Sequence, residues 1–299
     1  MNYRFVESCP VCNDKSFSDF IICKDYFSSL ETYGLKRCVG CGFLFTQNVP
    51  TEDKIGKYYE SPNYISHTDT KKGIVNYLYH FARQFMLQKK CSLVSKVSGL
   101  KSGSLLDYGS GTGYFLNAMS QKGWQTLGIE KSDVGREFSK SEFGITIQEP
   151  SYLASIEAES YDVISLWHVL EHIEDLNAFM QELIRILKPS GTLVIAVPNS
   201  ESYDAIHYGK FWAAYDVPRH LWHFSPDTVS LLAKKHLLKI IDLKGMPFDA
   251  FYISMMSEIN KRANFTFLRG VIGGLIATIQ SCTQVTKQSS IIYILKKDN

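Results

Sequence analysis

The sequence predicts an α/β chain built on a doubly wound, mostly parallel sheet of seven strands, with a small cysteine-bearing module in front and a helical insertion near the C-terminus. Three observations carry that expectation. From residue 104 onward, strand-like and helix-like apolar patterns alternate. Four cysteines stand as two C-x-x-C pairs within the first 41 residues. About 46 residues, rich in Phe and Met, separate Leu243 from Ser290, far more than a sheet connection needs.

Residues 1–50 hold both cysteine pairs and short β-like runs, Asp19 to Ile22 and Gly42 to Thr46, between turn residues. Ile74, Leu78, Phe81 and Phe85 then recur at helical spacing and predict a long amphipathic helix over about 72–97, punctuated by Gly99 and Gly103. Ser104 to Tyr108 reads as a short buried strand, followed by a glycine-rich turn and a helix over about 113–122. Trp124 to Ile129 is the second strand. Ser132 can cap a helix running to Phe143, because its hydroxyl can accept from a first-turn N–H. Ile145 to Gln148 and Tyr161 to Trp167 are the third and fourth strands. Leu176, Phe179, Leu183 and Ile186 mark an amphipathic helix that Lys188-Pro189-Ser190-Gly191 should stop. Thr192 to Val197, Leu237 to Leu243 and Ser290 to Leu295 complete the strands, with a helix at Asp227 to Lys235. The chain divides accordingly into a cysteine module (1–50), a helical linker or lid (51–99) and a sheet domain (100–299).

Composition narrows the function. With 45% apolar and 21% charged residues, the chain has enough apolar surface for a packed core, and a disordered or coiled-coil chain is excluded. The net charge of +2 and the absence of a basic run make nucleic acid an unfavoured partner. The apolar stretch Val271 to Ile279 is nine residues long and holds two glycines, whereas a transmembrane helix needs about 20. No apolar signal region follows Met1, and the seven cysteines are an odd number, so a cytoplasmic, reducing setting is expected.

Cys9-Pro-Val-Cys12 and Cys38-Val-Gly-Cys41 are two knuckles, each able to give two thiolates to one tetrahedral ion. Four sulfurs leave no open position for water, so the expected ion is a structural Zn²⁺ on Cys9, Cys12, Cys38 and Cys41. Such a ribbon can grip nucleic acid, a protein partner or its own catalytic domain.

The second motif is Leu105-Leu106-Asp107-Tyr108-Gly109-Ser110-Gly111-Thr112-Gly113, which follows a strand and opens a helix. Its glycines let a ligand approach the backbone. The spacing departs from the dinucleotide pattern G-x-G-x-x-G, since the third glycine comes one residue early. The strand also ends in Asp107, which would repel a pyrophosphate but attract an ammonium. The second strand ends in Glu130, where a doubly wound nucleoside site places its ribose-binding carboxylate. An ammonium, a carboxylate, a ribose diol and an uncharged base belong together in S-adenosylmethionine. The expected contacts are Asp107, Gly109, Ser110, Gly111, Gly113 and Glu130, with Trp167 and His168 at the exit of the fourth strand.

Over residues 101–244 the sequence resembles the class I S-adenosylmethionine-dependent methyltransferases. The carrying motifs are LLDYGSGTGYF at 105–115, GIE at 128–130, YDVISLWHVLEHI at 161–173, ELIRILKPSGTLVIAVPN at 182–199 and PRHLWHFSPDT at 218–228. They are similar to the branch that holds ubiquinone-type O-methyltransferases and many enzymes of bacterial glycan and natural-product pathways. The resemblance implies a Rossmann-like methyltransferase sheet and methyl transfer to a small-molecule or glycan-precursor acceptor, such as a sugar or nucleotide sugar, on oxygen or carbon. It also gives Tyr58, Tyr59 and Tyr64 a reading as a lid over the cofactor, beside the plainer one of an exposed aromatic linker. The alternatives are an RNA methyltransferase whose ribbon grips RNA, and a cofactor-binding scaffold without turnover.

A hydroxyl or carbon-acid acceptor needs a base. His168, His220 and His172 are the candidates, since histidine titrates near neutrality. The acceptor pocket is expected between residues 199–223 and 246–285, with the second segment folded as helices over the carboxyl edge of the sheet. The same apolar residues would also suit a homodimer interface or a membrane-surface contact.

Overall fold

The computed structural model describes residues 3–59 and 74–298. Tyr64 lies outside the described residues, as do the side chains of Ile74, Leu78 and Phe81.

The N-terminal part is an antiparallel assembly. Strand β1 (Tyr3–Arg4), β2 (Phe17–Lys24), β3 (Thr32–Cys38), β4 (Leu44–Thr46) and β5 (Val49–Pro50) lead into a short helix α1 (Glu52–Ile55). β3, which the sequence did not announce, pairs with both β2 and β4. The long helix α2 (Ile74–Ser98) follows. Cys91 and Val94 on α2 are fully buried against one face of the main sheet, together with Leu105, Val163, Val194 and Ile294. Phe85 packs edge-on against Phe248, with ring centres 5.9 Å apart.

The main sheet is built from β6 (Ser104–Tyr108), α3 (Tyr114–Ser120), β7 (Gln125–Ile129), α4 (Asp133–Phe143), β8 (Tyr161–Trp167), α5 (Leu176–Ile186) and β9 (Leu187–Pro198). Then come α6 (Tyr203–Tyr208), β10 (Trp222–His223), α7 (Pro226–Lys235), β11 (Leu238–Gly245), α8 (Pro247–Asn260), α9 (Thr266–Ser281) and β12 (Ser290–Lys297). Strand order is β11-β12-β9-β8-β6-β7. β6 to β9 run parallel, and β12 lies antiparallel between β9 and β11. Residue alternation divides the two faces. Leu193, Ile195 and Val197 of β9 point into the core formed with α5 and α7, while Val194 and Ala196 point toward α2.

The sheet has six strands rather than the seven expected. Residues 145–148 make only a parallel bridge between Gln148 and Ile129. Pro150 opens a 3₁₀ turn two residues later, so the ladder has no length in which to form. The Lys188–Gly191 segment also differs from the expected stop. β9 already pairs at Leu187 with Tyr161, and the register then jumps from Val163 to Thr192, so residues 188–191 bulge out of the strand.

The two parts share one core. Trp222 and His223 of β10 pair with Phe45 and Leu44 of β4, which extends the N-terminal sheet to four strands. Phe43 stacks on Trp222, with ring centres 5.9 Å apart. Arg219 is buried where the parts meet and bonds Asp25 at 3.0 Å, Asp216 at 2.6 Å and the Tyr58 carbonyl at 3.0 Å. Tyr58 is buried too and donates to Glu31 at 2.6 Å, so it is not part of an exposed linker.

Candidate functional site

Three candidate sites emerge: the cysteine cluster, the glycine loop and a histidine-rich cluster that follows β8.

Each knuckle turns on a left-handed residue, Asn13 (φ 66°) in the first and Gly42 (φ 77°) in the second. The turns close through Asn13 N–H to the Cys9 carbonyl at 2.8 Å and Gly42 N–H to the Cys38 carbonyl at 2.9 Å. The four sulfurs lie within 4.8 Å of one another. Cys9 and Cys41 Sγ are 3.6 Å apart and Cys12 and Cys38 Sγ 3.5 Å. Sulfurs at the corners of a tetrahedron around Zn²⁺, each about 2.3 Å from the ion, stand about 3.8 Å apart, so the donor set fits.

The glycine loop is pinned from below. Gly109 N–H donates to the Ile129 carbonyl at 2.7 Å. A Cβ at Gly109 would sit 2.3 Å from Val169 Cγ2, and one at Gly113 would sit 2.3 Å from Ser139 Oγ. A Cβ at Gly111 would meet nothing within 4 Å. The middle glycine thus borders open space while its neighbours are packed. Glu130 stands beside that space, its carboxylate accepting from Gly111 N–H and Ser132 N–H, each at 2.8 Å. Asp107 is buried beneath, bonded by the Ser165 hydroxyl at 2.6 Å. Burial pushes its carboxyl up to about 7, against the Ser165 bond and the charge of Lys90. A backbone cradle bordered by one open glycine and flanked by a carboxylate suits a ribose and an amino-acid tail, as S-adenosylmethionine requires.

At the exit of β8, His168 adopts a left-handed backbone (φ 59°). That turns its ring between Asp249 of α8 (Nε2 to Oδ2, 2.9 Å) and Glu171 (Nδ1 to Oε1, 3.4 Å). Burial opposes a charge there, but the two carboxylates overcome it and hold the imidazole at about 10. His168 is therefore a cation at neutral pH, with no lone pair to accept a proton.

His172 and His220 stand differently. Their rings meet edge to face at 4.6 Å. His172 Nδ1 lies 3.0 Å from the Arg219 carbonyl and 3.1 Å from the Tyr59 hydroxyl, and His220 Nδ1 lies 2.8 Å from the Ala214 carbonyl. A carbonyl only accepts, so each Nδ1 carries a proton and donates it, while His220 Nε2 lies 3.8 Å from Asp216 Oδ2. Burial and the neighbouring His220 lower His172 to about 4. Ring nitrogens of both histidines and a carboxylate oxygen of Glu171 fall within 4.8 Å of one another. The segment is held there by Leu221 N–H to the Glu171 carbonyl at 2.8 Å. His223 is spent elsewhere, with Nε2 2.9 Å from Thr46 Oγ1. Asn199 clamps the carbonyls of Thr286 and Gln288 rather than facing the pocket.

Two site residues escaped sequence reasoning. Lys90 on α2 places its ammonium 4.3 Å from the Trp167 ring centre, and burial lowers its pKa against the charges of Asp107 and Asp249. Asp249 sits in the first turn of α8, inside the apolar insertion. A lysine next to another lysine and a lone acid in the insertion carry no motif.

The mostly parallel sheet, the glycine-rich turn after β6 and Glu130 after β7 have the layout of the methyltransferase class of α/β domains. The family described as "Methyltransferase domain" matches residues 80–243, more than half of the chain. The chain belongs to that family of S-adenosylmethionine-dependent methyltransferases. Among curated relatives, the ubiquinone biosynthesis O-methyltransferase of Cereibacter sphaeroides (strain ATCC 17029 / ATH 2.4.9) is 28% identical over 157 residues, 48% of this chain and 64% of that protein. The chain therefore spans less than two thirds of that relative's length. The enzyme of the same description from Haemophilus ducreyi is 30% identical over 172 residues, covering 52% of this chain and 73% of its own. Phosphoethanolamine N-methyltransferase 2 of Haemonchus contortus, solved with S-adenosyl-L-methionine, shares the fold, with a TM-score of 0.53, 16% identity, and coverage of 95% of this chain and 69% of that one.

Proposed function

We propose that this chain transfers a methyl group to a hydroxyl or acidic carbon of a small-molecule or glycan-precursor acceptor, in the sugar or nucleotide-sugar class. The observation that carries the reading is the pair His172 and His220, whose rings meet edge to face at 4.6 Å and bring a nitrogen each within 4.8 Å of a Glu171 carboxylate oxygen after the exit of β8. An amine acceptor has its own lone pair, whereas a hydroxyl or carbon acid needs a base, and this pair supplies one. Bound S-adenosylmethionine supplies the electrophilic methyl carbon. In this reading Glu130 binds the ribose hydroxyls and Gly109, Ser110, Gly111 and Gly113 line the cofactor's path. Asp107 supports the loop from beneath, and Trp167 forms the wall with Lys90 against it. His168, a poor base while Asp249 and Glu171 hold its proton, holds α8 over the site through Asp249 and marks the cofactor edge. His220 is the leading base and His172 its partner. Zn²⁺ on Cys9, Cys12, Cys38 and Cys41 fixes the ribbon, and the enzyme works in the cytoplasm.

The helical segment α8–α9 supports an enclosed pocket. Asn260 donates to the Phe211 carbonyl at 3.1 Å and Ser257 accepts from Ala213 N–H at 2.9 Å, so α8 is moored to the 199–223 segment. Closing that side keeps water from the reacting atoms. Single-turnover mass spectrometry with nucleotide sugars, glycans, phenols and amines tests the reading. Methylated sugar or phenol is expected, and methylated amine alone would overturn it.

A further inference from the structure

We propose that the outer face of α9 lies flat on an anionic membrane surface. The helix buries one stripe only. Gly270, Gly274, Ala277 and Ser281 face inward, and a Cβ at Gly270 or Gly274 would come within 2.5 or 2.6 Å of the α8 backbone. The opposite stripe stays exposed among the described residues. Phe267, Leu268, Ile272, Leu275 and Ile279 are 71%, 58%, 47%, 49% and 59% exposed, and Phe265 just before them is 83% exposed. Single exposed apolar side chains are ordinary, but a contiguous stripe of them along a 16-residue helix marks a contact surface.

Charge identifies the occupant. Between Asn260 and Lys297 the sequence has no Asp or Glu. Lys261 and Arg262 precede the helix, Arg269 lies in its first turn, and Lys287 follows its end. Buried Glu258 takes Arg269 at 2.9 Å and Lys261 at 3.9 Å, while Arg262 is exposed with no ion pair among the described residues. A second copy meeting this face about a twofold axis would set basic ends and basic flanks against each other. An anionic lipid surface takes both the apolar stripe and the flanking cations. No described helix is long and apolar enough to cross a membrane, so α9 would lie in the interface plane. Since α8 packs on α9 and Asp249 of α8 holds His168, the lipid-facing layer would be the roof of the candidate site.

The test uses the full chain and does not depend on which acceptor is methylated. Flotation is measured with phosphatidylcholine vesicles, with and without phosphatidylglycerol, for the native chain and the Phe267→Asp/Ile272→Asp double variant. Both positions are exposed, and circular dichroism checks that the variant is folded. The native chain should float with the anionic vesicles, less so at high salt, and the variant's floated fraction should fall by about tenfold. The proposal is overturned if the native chain stays unbound at low salt, or if the variant floats as well as the native chain. It is equally overturned if the two substitutions abolish a solution dimer seen by sedimentation while vesicles capture nothing, since the face would then belong to a second copy.

Discussion

Replacing Gly111 and Gly109 by alanine, one at a time, separates a residue that borders ligand space from one that holds the loop. Gly111 has φ 55° and Gly109 φ 74°, so each substitution forces an L-residue into the left-handed region at a cost of about 1–2 kcal/mol. There the two diverge. The new methyl at 111 meets nothing within 4 Å, so strain is the whole cost, and the melting temperature should fall by about 2–8 °C at about 2–4 °C per kcal/mol. The new methyl at 109 overlaps Val169 Cγ2 at 2.3 Å, which adds an overpacking cost of about 1–3 kcal/mol and a correspondingly deeper fall. Binding should run the other way per unit of stability lost. The methyl at 111 enters the space proposed for the cofactor, so calorimetry should show affinity for S-adenosylmethionine reduced by at least about tenfold, or about 1.4 kcal/mol, and by more for Gly111→Val. If Gly111→Ala binds the cofactor as the native chain does, or if Gly109→Ala melts no lower than Gly111→Ala, the assignment of the open glycine is wrong.

Other outcomes follow from the same geometry. Elemental analysis should find one zinc per chain, and Cys12→Ser should lower the melting temperature of the whole chain in a single transition; a zinc-free native protein refutes the cluster's role. Arg219→Ala leaves the buried Asp25 carboxylate without its counter-charge, held only by the Phe27, Ser28 and Ser29 donors, and should cost about 3–5 kcal/mol in chemical unfolding, with a loss below 1 kcal/mol counting against the buried pair. His220→Ala should lower kcat by about 10²–10⁴ while cofactor affinity is nearly kept, and wild-type turnover in both His220→Ala and His172→Ala would leave positioning alone to explain catalysis. His168, raised from 6.5 to about 10 in the fold, adds stability that is complete below pH about 6.5 and disappears as pH rises through about 10. In His168→Gln that alkaline decline should flatten, and an unchanged profile would show the imidazolium clamp to be absent.

Much of this arrangement could be read from the sequence because it rests on local chemistry. The cysteine pairs, the triple glycine and Glu130 need only spacing and the strand–turn–helix pattern around them. What escaped depends on tertiary placement. Lys90 becomes a site residue only because α2 lies across the sheet beside Trp167. Asp249 matters only because the insertion folds back onto His168. That contact also decides which histidine is charged, and no pattern in LWHVLEH distinguishes the clamped ring from the neutral one. β3 was missed because its Thr-Tyr-Gly-Leu-Lys-Arg run has a weak apolar signal, and its stability comes from neighbours on both sides.

The pairing of β4 with β10 sets an order of events during synthesis. The ribbon strands leave the ribosome early, yet the strand that covers the β4 edge is made about 175 residues later. At about 5–20 residues per second, that edge stays open for about 9–35 s. An uncovered β edge is a template for pairing with another chain. Over that interval the nascent ribbon would be held only by its own short strands and by whatever metal its four thiolates have taken up. If the four thiolates hold zinc as proposed, its supply during translation bears on the yield of folded enzyme, and a chain truncated before Trp222 would carry its sticky edge permanently.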